Sequence, residues 1–526
     1  MLETLQILLP QTVLATLACL FILGGTFSIS ARRWGYLALG ALGLAAIALV
    51  YSSRLEWPAV GPSLAVARTP LVQGFEWSCL VVGALFVLMA IEPQAASKTA
   101  AEFYGMLLLI LSGMMLVWVA DDLVLLFLAL ELISVPTYVI LYLGRHDNAS
   151  QEAAVKYFLL SVLSAAVLLY GFAFLYGLAG TTHLAGIRQV LTQAYDSGQP
   201  GVPPSGGSVL GIVALVLIIA GLGFKMTAVP FHFYAPDVYE GTSAFNAGIL
   251  AVIPKVAGFV ALIRVVYESM AGFQMTGQQL TLILAGITMT GGNCLALLQT
   301  NIRRLLAYSS IAHAGYMLIG VCVGFWETWN PQSSIERSGA LWGLGLPGGM
   351  HATLLYLLTY ALTNAGLFAV LVYLGRPGRQ IEHIDDLTGL WKSQPLVAAA
   401  AAVFLFSLAG IPPFPGFWGK LAVFSTALSV RQDTTALFAV HRAFAILAVL
   451  GVVNAAIGAV YYLRIVSTMF LNDPLSTPKP AGGRPGYLAV LCSLVLVAAL
   501  GLVPGPVFRY LERPAPSGQN VSSAHR

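Results

Sequence analysis

The chain has 526 residues, 58% of them hydrophobic and 9% charged, with a formal net charge of +4. Soluble domains carry about 25% charged residues, so a water-soluble core of this length is excluded, since it could not hide so much apolar surface. The small positive balance rests on loop arginines and gives no reason to expect nucleic-acid binding. Apolar runs of about 20 residues recur from end to end, each long enough to cross the hydrocarbon layer. The predicted fold class is an all-α polytopic membrane protein.

The first run, Leu5 to Ser28, follows Glu3 and precedes Arg32 and Arg33. A signal peptide would show a basic start and a short apolar core, so a retained span is predicted. Positive charge after the run puts the N-terminus outside and the Arg32–Arg33 loop in the cytoplasm. Fourteen spans are predicted, centred near residues 17, 43, 82, 110, 132, 166, 217, 254, 288, 315, 362, 405, 455 and 495. The even number returns both termini to the outside. Arg32, Arg33, Lys98, Arg145, Arg303, Arg304, Arg376, Arg379 and Lys392 then fall inside. Arg54, Arg68, Arg188, Arg337 and Arg431 fall outside, an asymmetry of the expected sign. The segments "THLAGIRQVL" (182–191) and "IEHIDDLTGLW" (381–391) space their apolar residues as interfacial helices would. "SGQPGVPPSGG", "NDPLSTPKPAGGRPG" and the tail "APSGQNVSSAHR" read as connectors and a polar end. Cys19, Cys79, Cys294, Cys322 and Cys492 lie far apart, with no CxxC or metal-ligand spacing. No iron–sulfur cluster, metal or other cofactor is therefore expected in this chain.

The spans fall into two blocks of five, roughly 103–267 and 278–471. Span seven is interrupted by "TAVPFHFYAP" and span twelve by "AGIPPFPGFWGK". Broken helices at matching positions in two halves point to an inverted repeat. A proline removes a backbone donor, and the carbonyls it frees are tolerable in a bilayer only beside a polar cavity. The expected organisation is an N-terminal three-helix segment (1–100), a first repeat (101–270), a second repeat (271–472) and a final helix with its tail (473–526).

Charges inside the spans are few. Glu131 lies nine residues beyond Asp122, about 13 Å into the bilayer, where a carboxylate is costly unless paired or wetted. Sixteen uncharged residues, Val209 to Phe224, precede Lys225 at the first break, and Lys255 follows in the next span. His313 lies nine residues beyond Arg304, and Lys420 follows the second break. Lys156 sits near a helix start, where its amine can snorkel to the interface. The structural alternatives are a protonated glutamic acid in a helix contact and a packed histidine. No metal suits this set, because lysines do not ligate at neutral pH and the deep carboxylate has no partner ligands. No nucleophile–base pair or phosphate-cradling glycine loop is present either. A proton relay along the membrane plane fits. Desolvation disfavours the charged amine and a nearby carboxylate favours it, so moving one partner switches its protonation.

"GFKMTAVPFHFYAPDVYEG" (223–241), "NIRRLLAYSSIAHAGYMLIG" (301–320) and "GIPPFPGFWGK" (410–420) resemble the antiporter-like proton-pumping subunits of respiratory complex I. The resemblance runs from about residue 100 to 470. It implies a pair between Glu131 on span five and Lys225 on span seven, continued by Lys255, His313 and Lys420, with Lys156 matching a further lysine. It also implies a lipid bilayer of a bacterial inner membrane as the setting. The expected partners are other complex I subunits, including neighbouring antiporter-like ones, which hold the FMN, the iron–sulfur clusters and the sites for NADH and quinone. This chain departs from the family after "YEG", where it reads "TSAFNAG", and in placing Pro254 directly before Lys255. A subunit of a multi-subunit cation/proton antiporter is the competing expectation. A non-transporting scaffold is the third, and it would tolerate apolar replacements of these charges.

Overall fold

The structure is a computed structural model, described here for residues 2–27, 29–54, 66, 69–144, 147–196, 209–267, 269–270, 272–329, 348–375, 381–430, 438–473, 480 and 482–511. Arg68, Arg145, Arg337, Arg376, Arg379 and Arg431 lie outside these residues, as do the connector 197–207, residues 474–479 and 481 of the second connector, and the tail. The described residues are almost entirely helical, with three isolated β-bridges and no strand. Twelve helices are long and apolar enough to cross a membrane, and Leu9–Gly24 and Pro395–Ala409 are shorter apolar helices. Together these fourteen coincide with the fourteen predicted spans.

Leucine, alanine and valine dominate these runs. In a bilayer a helix is the local structure that satisfies every backbone donor and acceptor within one segment. The ends carry ordinary signals. The Asp147 side chain accepts from Ser150 N, opening span six (Asn148–Ala179), and Gly180 closes it at a φ of 67°. Ser243 likewise accepts from Asn246 N and opens span eight (Ala244–Val266). The departure "TSAFNAG" is thus an N-cap, and Pro254 is carried within that helix.

Burial sorts the spans into centre and rim. Spans eight, ten (Ile302–Glu327) and eleven (Gly349–Leu374) are enclosed, with 100%, 94% and 94% of their central residues buried, against 33% for span thirteen (Val440–Leu471). Val155, Leu159, Val162, Leu163 and Tyr170 are exposed along span six, and Ile446, Val449, Val453 and Val460 along span thirteen. Spacings of three and four make these lipid-facing stripes.

Both interruptions are present. Span seven is Val209–Met226, a turn, then Ala235–Gly241; span twelve is Pro395–Ala409, a turn, then Pro415–Leu428. Each unit thus has five crossings, an odd number, which starts the second unit from the opposite face. Loop contacts respect this count: Arg32 pairs with Glu92, Arg303 with Glu382 and Lys392 with Asp473, all loops or span ends of one side. Tyr510 donates to Pro70 O on the other. The Leu184–Asp196 helix matches the first interfacial prediction. The second is a 3-10 turn (Ile384–Leu387) and a single helical turn (Leu390–Ser393), divided by Gly389 at a φ of 67°. That left-handed residue ends the apolar periodicity.

Candidate functional site: a buried polar series across both units

The series begins on span five (Leu123–Gly144). Lys225 Nζ lies 3.9 Å from Glu131 Oε1 and donates to Ser134 Oγ at 2.7 Å. Glu131 Oε1 is buried and makes no hydrogen bond. The ammonium therefore feels the carboxylate by charge while its hydrogen bond goes to a serine one turn further along the same helix. Lys225 occupies the last turn of Val209–Met226, where the helix dipole favours a cation.

Gly258 brings the next span close. A Cβ there would meet Lys225 Cβ at 3.2 Å and Met226 Cγ at 2.9 Å, so only glycine allows spans seven and eight to pack at this point. One turn earlier, Lys255 is fully buried, donates to Ser310 O and lies 5.3 Å from the Tyr360 ring centre. Tyr360 Oη lies 2.8 Å from Ser310 Oγ and 3.2 Å from Ala251 O, within hydrogen-bond reach of both. Spans eight, ten and eleven are thus knitted around one amine.

His313 follows one turn after Ser310. Its Nδ1 is 2.9 Å from Tyr356 Oη and its Nε2 3.0 Å from Tyr462 Oη. Lys420 Nζ donates to Leu408 O at 2.9 Å and Ala409 O at 2.8 Å, and lies 5.1 Å from the Tyr316 ring centre. Tyr316 is itself edge-on to His313. Half-buried Glu131 and the buried Lys225, Lys255, His313 and Lys420 therefore lie in series through both units. Lys156 does not join it. Its ammonium, on a partly exposed side chain, pairs with Glu152 at 2.6 Å and Asp237 at 3.3 Å.

Asp237 leads to a second, more exposed cluster. Arg304 Nη1 is 2.8 Å from both Asp237 Oδ1 and Glu240 Oε2, and Arg303 donates to Thr242 O. The start of span ten thus clasps the second half of broken span seven. On the other face Arg264, also overlooked, lies 3.8 Å from Asp121. Burial pushes the Asp121 carboxyl up, opposed by Arg264 and His183.

Sequence reading by charge found the amines and the carboxylate but missed the hydroxyls between them: Ser134, Ser310, Tyr356, Tyr360 and Tyr462. Polar residues inside apolar runs were the available signal, though a tyrosine in a membrane helix also serves as packing or an interface anchor. Among the described residues no group of three or more His, Cys, Asp or Glu side chains could hold a metal ion.

The comparisons with known proteins agree on the relationship. The family described as NADH:quinone oxidoreductase/Mrp antiporter, transmembrane, matches residues 120–335 and 332–445. NADH-quinone oxidoreductase subunit N of Paramagnetospirillum magneticum is 35% identical over 96% of this chain and 97% of its own length. The subunit N of Chloroflexus aggregans is 33% identical over 97% and 96%. A chain of respiratory complex I from Thermus thermophilus superposes with a TM-score of 0.73 at 31% identity, covering 95% of this chain and 99% of that one. A chain of the Mrp complex from Dietzia has a TM-score of 0.76 at 20% identity, over 97% and 96%, and shares the fold. With fourteen apolar span helices among the described residues, two broken spans and a family match over more than half its length, this chain belongs to the antiporter-like membrane subunits of the NADH:quinone oxidoreductase/Mrp antiporter family.

Proposed function

We propose that this chain is subunit N in the membrane arm of a proton-translocating NADH:quinone oxidoreductase and that Glu131, Lys225, Lys255, His313 and Lys420 relay the protons. Electron transfer from NADH to quinone takes place in partner subunits, and this chain carries no redox group. The Glu131–Lys225 pair carries the mechanistic reading. At 3.9 Å, with no hydrogen bond between them, two charges at an effective dielectric near 20 attract by about 4 kcal/mol. Ser134 offers the ammonium a second position on the same helix. Movement between the two changes how strongly the amine holds its proton. A proton released there has the Ser310 and Tyr360 hydroxyls, then His313, ahead of it. Residues 101–270 and 271–472 form one half-channel each, with Lys156 at the flank of the first. Both termini face the outside of a bacterial inner membrane.

Affinity purification of this chain from native membranes tests the assignment. Flavin- and cluster-bearing subunits are expected to come with it, and no flavin or cluster is expected in the separated chain. Recovery with redox-free membrane subunits alone would establish the competing reading, a cation/proton antiporter subunit. The subunit N relatives at 33–35% identity over nearly the whole chain favour the oxidoreductase.

A further inference from the structure

His313 is held by hydroxyls on both sides. Tyr356 Oη lies 2.9 Å from Nδ1 and Tyr462 Oη 3.0 Å from Nε2, and Tyr462 Oη is also hydrogen-bonded to Ser309 Oγ. All four side chains are buried. A neutral imidazole has one N–H and one bare nitrogen, so one tyrosine donates to the ring while the other accepts from it. Such an arrangement has a direction.

The direction lies across the membrane. Spans eleven and thirteen run the same way, and span ten runs opposite to them. Tyr356 comes seven residues after the start of span eleven at Gly349, and Tyr462 nine residues before the end of span thirteen at Leu471. Ser309 comes seven residues after Ile302, about 10 Å from the face marked by Arg303 and Arg304. The Tyr356 end adjoins the second break, because a Cβ on Gly419, next to Lys420, would meet the Tyr356 ring at 2.7 Å.

We propose that Tyr356 and Tyr462 are proton-relay residues. They make His313 a junction between the in-plane lysine series and a hydrogen-bonded branch that leads through Ser309 toward the Arg303–Arg304 face. This rests on the relay reading above. In one passage a proton arriving at Tyr356 Oη displaces that hydroxyl's own proton onto Nδ1. The proton on Nε2 passes to Tyr462 Oη, and the proton displaced from Tyr462 goes to Ser309 Oγ. Ser309 Oγ passes its own proton to water on the Arg303–Arg304 side. Each hydroxyl oxygen thus gains one bond to hydrogen as it loses another, the ring gains one at Nδ1 as it loses one at Nε2, and neither tyrosine ionises. The ring finishes as the other tautomer, so a reverse passage or a ring flip restores it. Neighbouring Tyr461 donates to Asn293 Oδ1 at 3.0 Å and is also hydrogen-bonded to Ser309 and Tyr462, so it borders the branch at its Ser309 end.

The test uses the whole complex in native membrane vesicles, measuring proton translocation, quinone reduction and the solvent deuterium isotope effect. Y356F and Y462F keep the ring and remove the hydroxyl. Each is expected to lower coupled turnover about tenfold at unchanged complex abundance. That is less than removal of a general acid–base group commonly causes, because water can fill the space of one lost hydroxyl. The isotope effect is expected to rise in both. If a Phe variant assembles poorly, S309A probes the far end of the branch with the same readouts. E131Q separates this inference from its parent. Wild-type turnover and isotope effect in Y356F, Y462F and S309A, with E131Q impaired, would overturn the branch and leave the relay. Wild-type behaviour in all of them would overturn both. Lost turnover with an unchanged isotope effect in Y356F and Y462F would assign the tyrosines to packing and overturn the branch.

Discussion

The two broken spans place a lysine beside a proline-containing turn, and the structure puts those lysines to different use. In the first unit Lys225 precedes the turn and faces a carboxylate and a serine on span five. In the second, Lys420 follows the turn and reaches back to Leu408 O and Ala409 O, the last carbonyls of the helix before it. No carboxylate lies within ion-pair distance of Lys420 among the described residues. The first ammonium is one half of a movable charge pair, whereas the second caps a helix whose C-terminal dipole attracts it. The backbone at the turns differs as well. Gly410 takes a φ of 85° in the second, whereas Thr227, a β-branched residue, takes 59° in the first. A positive φ is routine for glycine and costs about 1–2 kcal/mol for a residue with a Cβ.

Removing the charge pair breaks the comparison most directly. Glu131→Gln deletes an attraction of about 4 kcal/mol and should lower proton translocation at least about tenfold. Electron transfer should fall with it in a tightly coupled complex. Lys225→Ala should match it, and the double variant should be little worse than either, since both remove one element. Complex abundance should hold, because Ser134 retains its bond to Leu130 O. Vesicle assays of protons moved per electron provide the check, and wild-type ratio and rate in Glu131→Gln would make the pair structural.

The second break should instead fail by assembly. A Cβ on Gly416 would sit 1.8 Å from Ser407 O, a backbone atom that cannot yield cheaply. Gly416→Ala should destabilise by about 3 kcal/mol, seen as lost complex on native gels. Lys420→Met should come next. It keeps the chain length but leaves two carbonyls without their donor, a loss of about 2 kcal/mol readable as a lower melting temperature. The same change at Lys225 strands no carbonyl and leaves Glu131 able to take up a proton, so its melting loss should be smaller. Equal melting of the two variants would erase the distinction between pair and cap.

The smallest effect sharpens the contrast from the other side. Thr227→Gly relieves the left-handed conformation at the first turn and should raise stability by up to about 1 kcal/mol. Thr227 adjoins the helix end that holds Lys225. A melting temperature that rises while coupled turnover falls would show that the strain helps to aim the amine. A falling melting temperature would instead assign Thr227 to packing.

The sequence by itself determined the class of protein, the number of spans, the two breaks and the identity of the deep charges. Hydrophobic length and backbone satisfaction in a bilayer are local constraints, and an ionisable residue stands out against an apolar run. The motifs the sequence carries, by their resemblance to a known family, also implied Glu131 and Lys225 as partners. Tertiary structure alone decided how each charge is satisfied. Lys156 sits near a helix start, and the bundle gives it Glu152 and Asp237 as partners at a partly exposed flank. Lys420 repeats the position of Lys225 beside a proline turn, yet finds carbonyls. Tyr356 and Tyr462, 106 residues apart in the chain (462 − 356), become the two neighbours of one imidazole. A hydrogen bond depends on a few ångströms between atoms of different helices, and span packing fixes those distances. A side chain's polarity is legible one residue at a time, but its partner is a property of the assembled bundle.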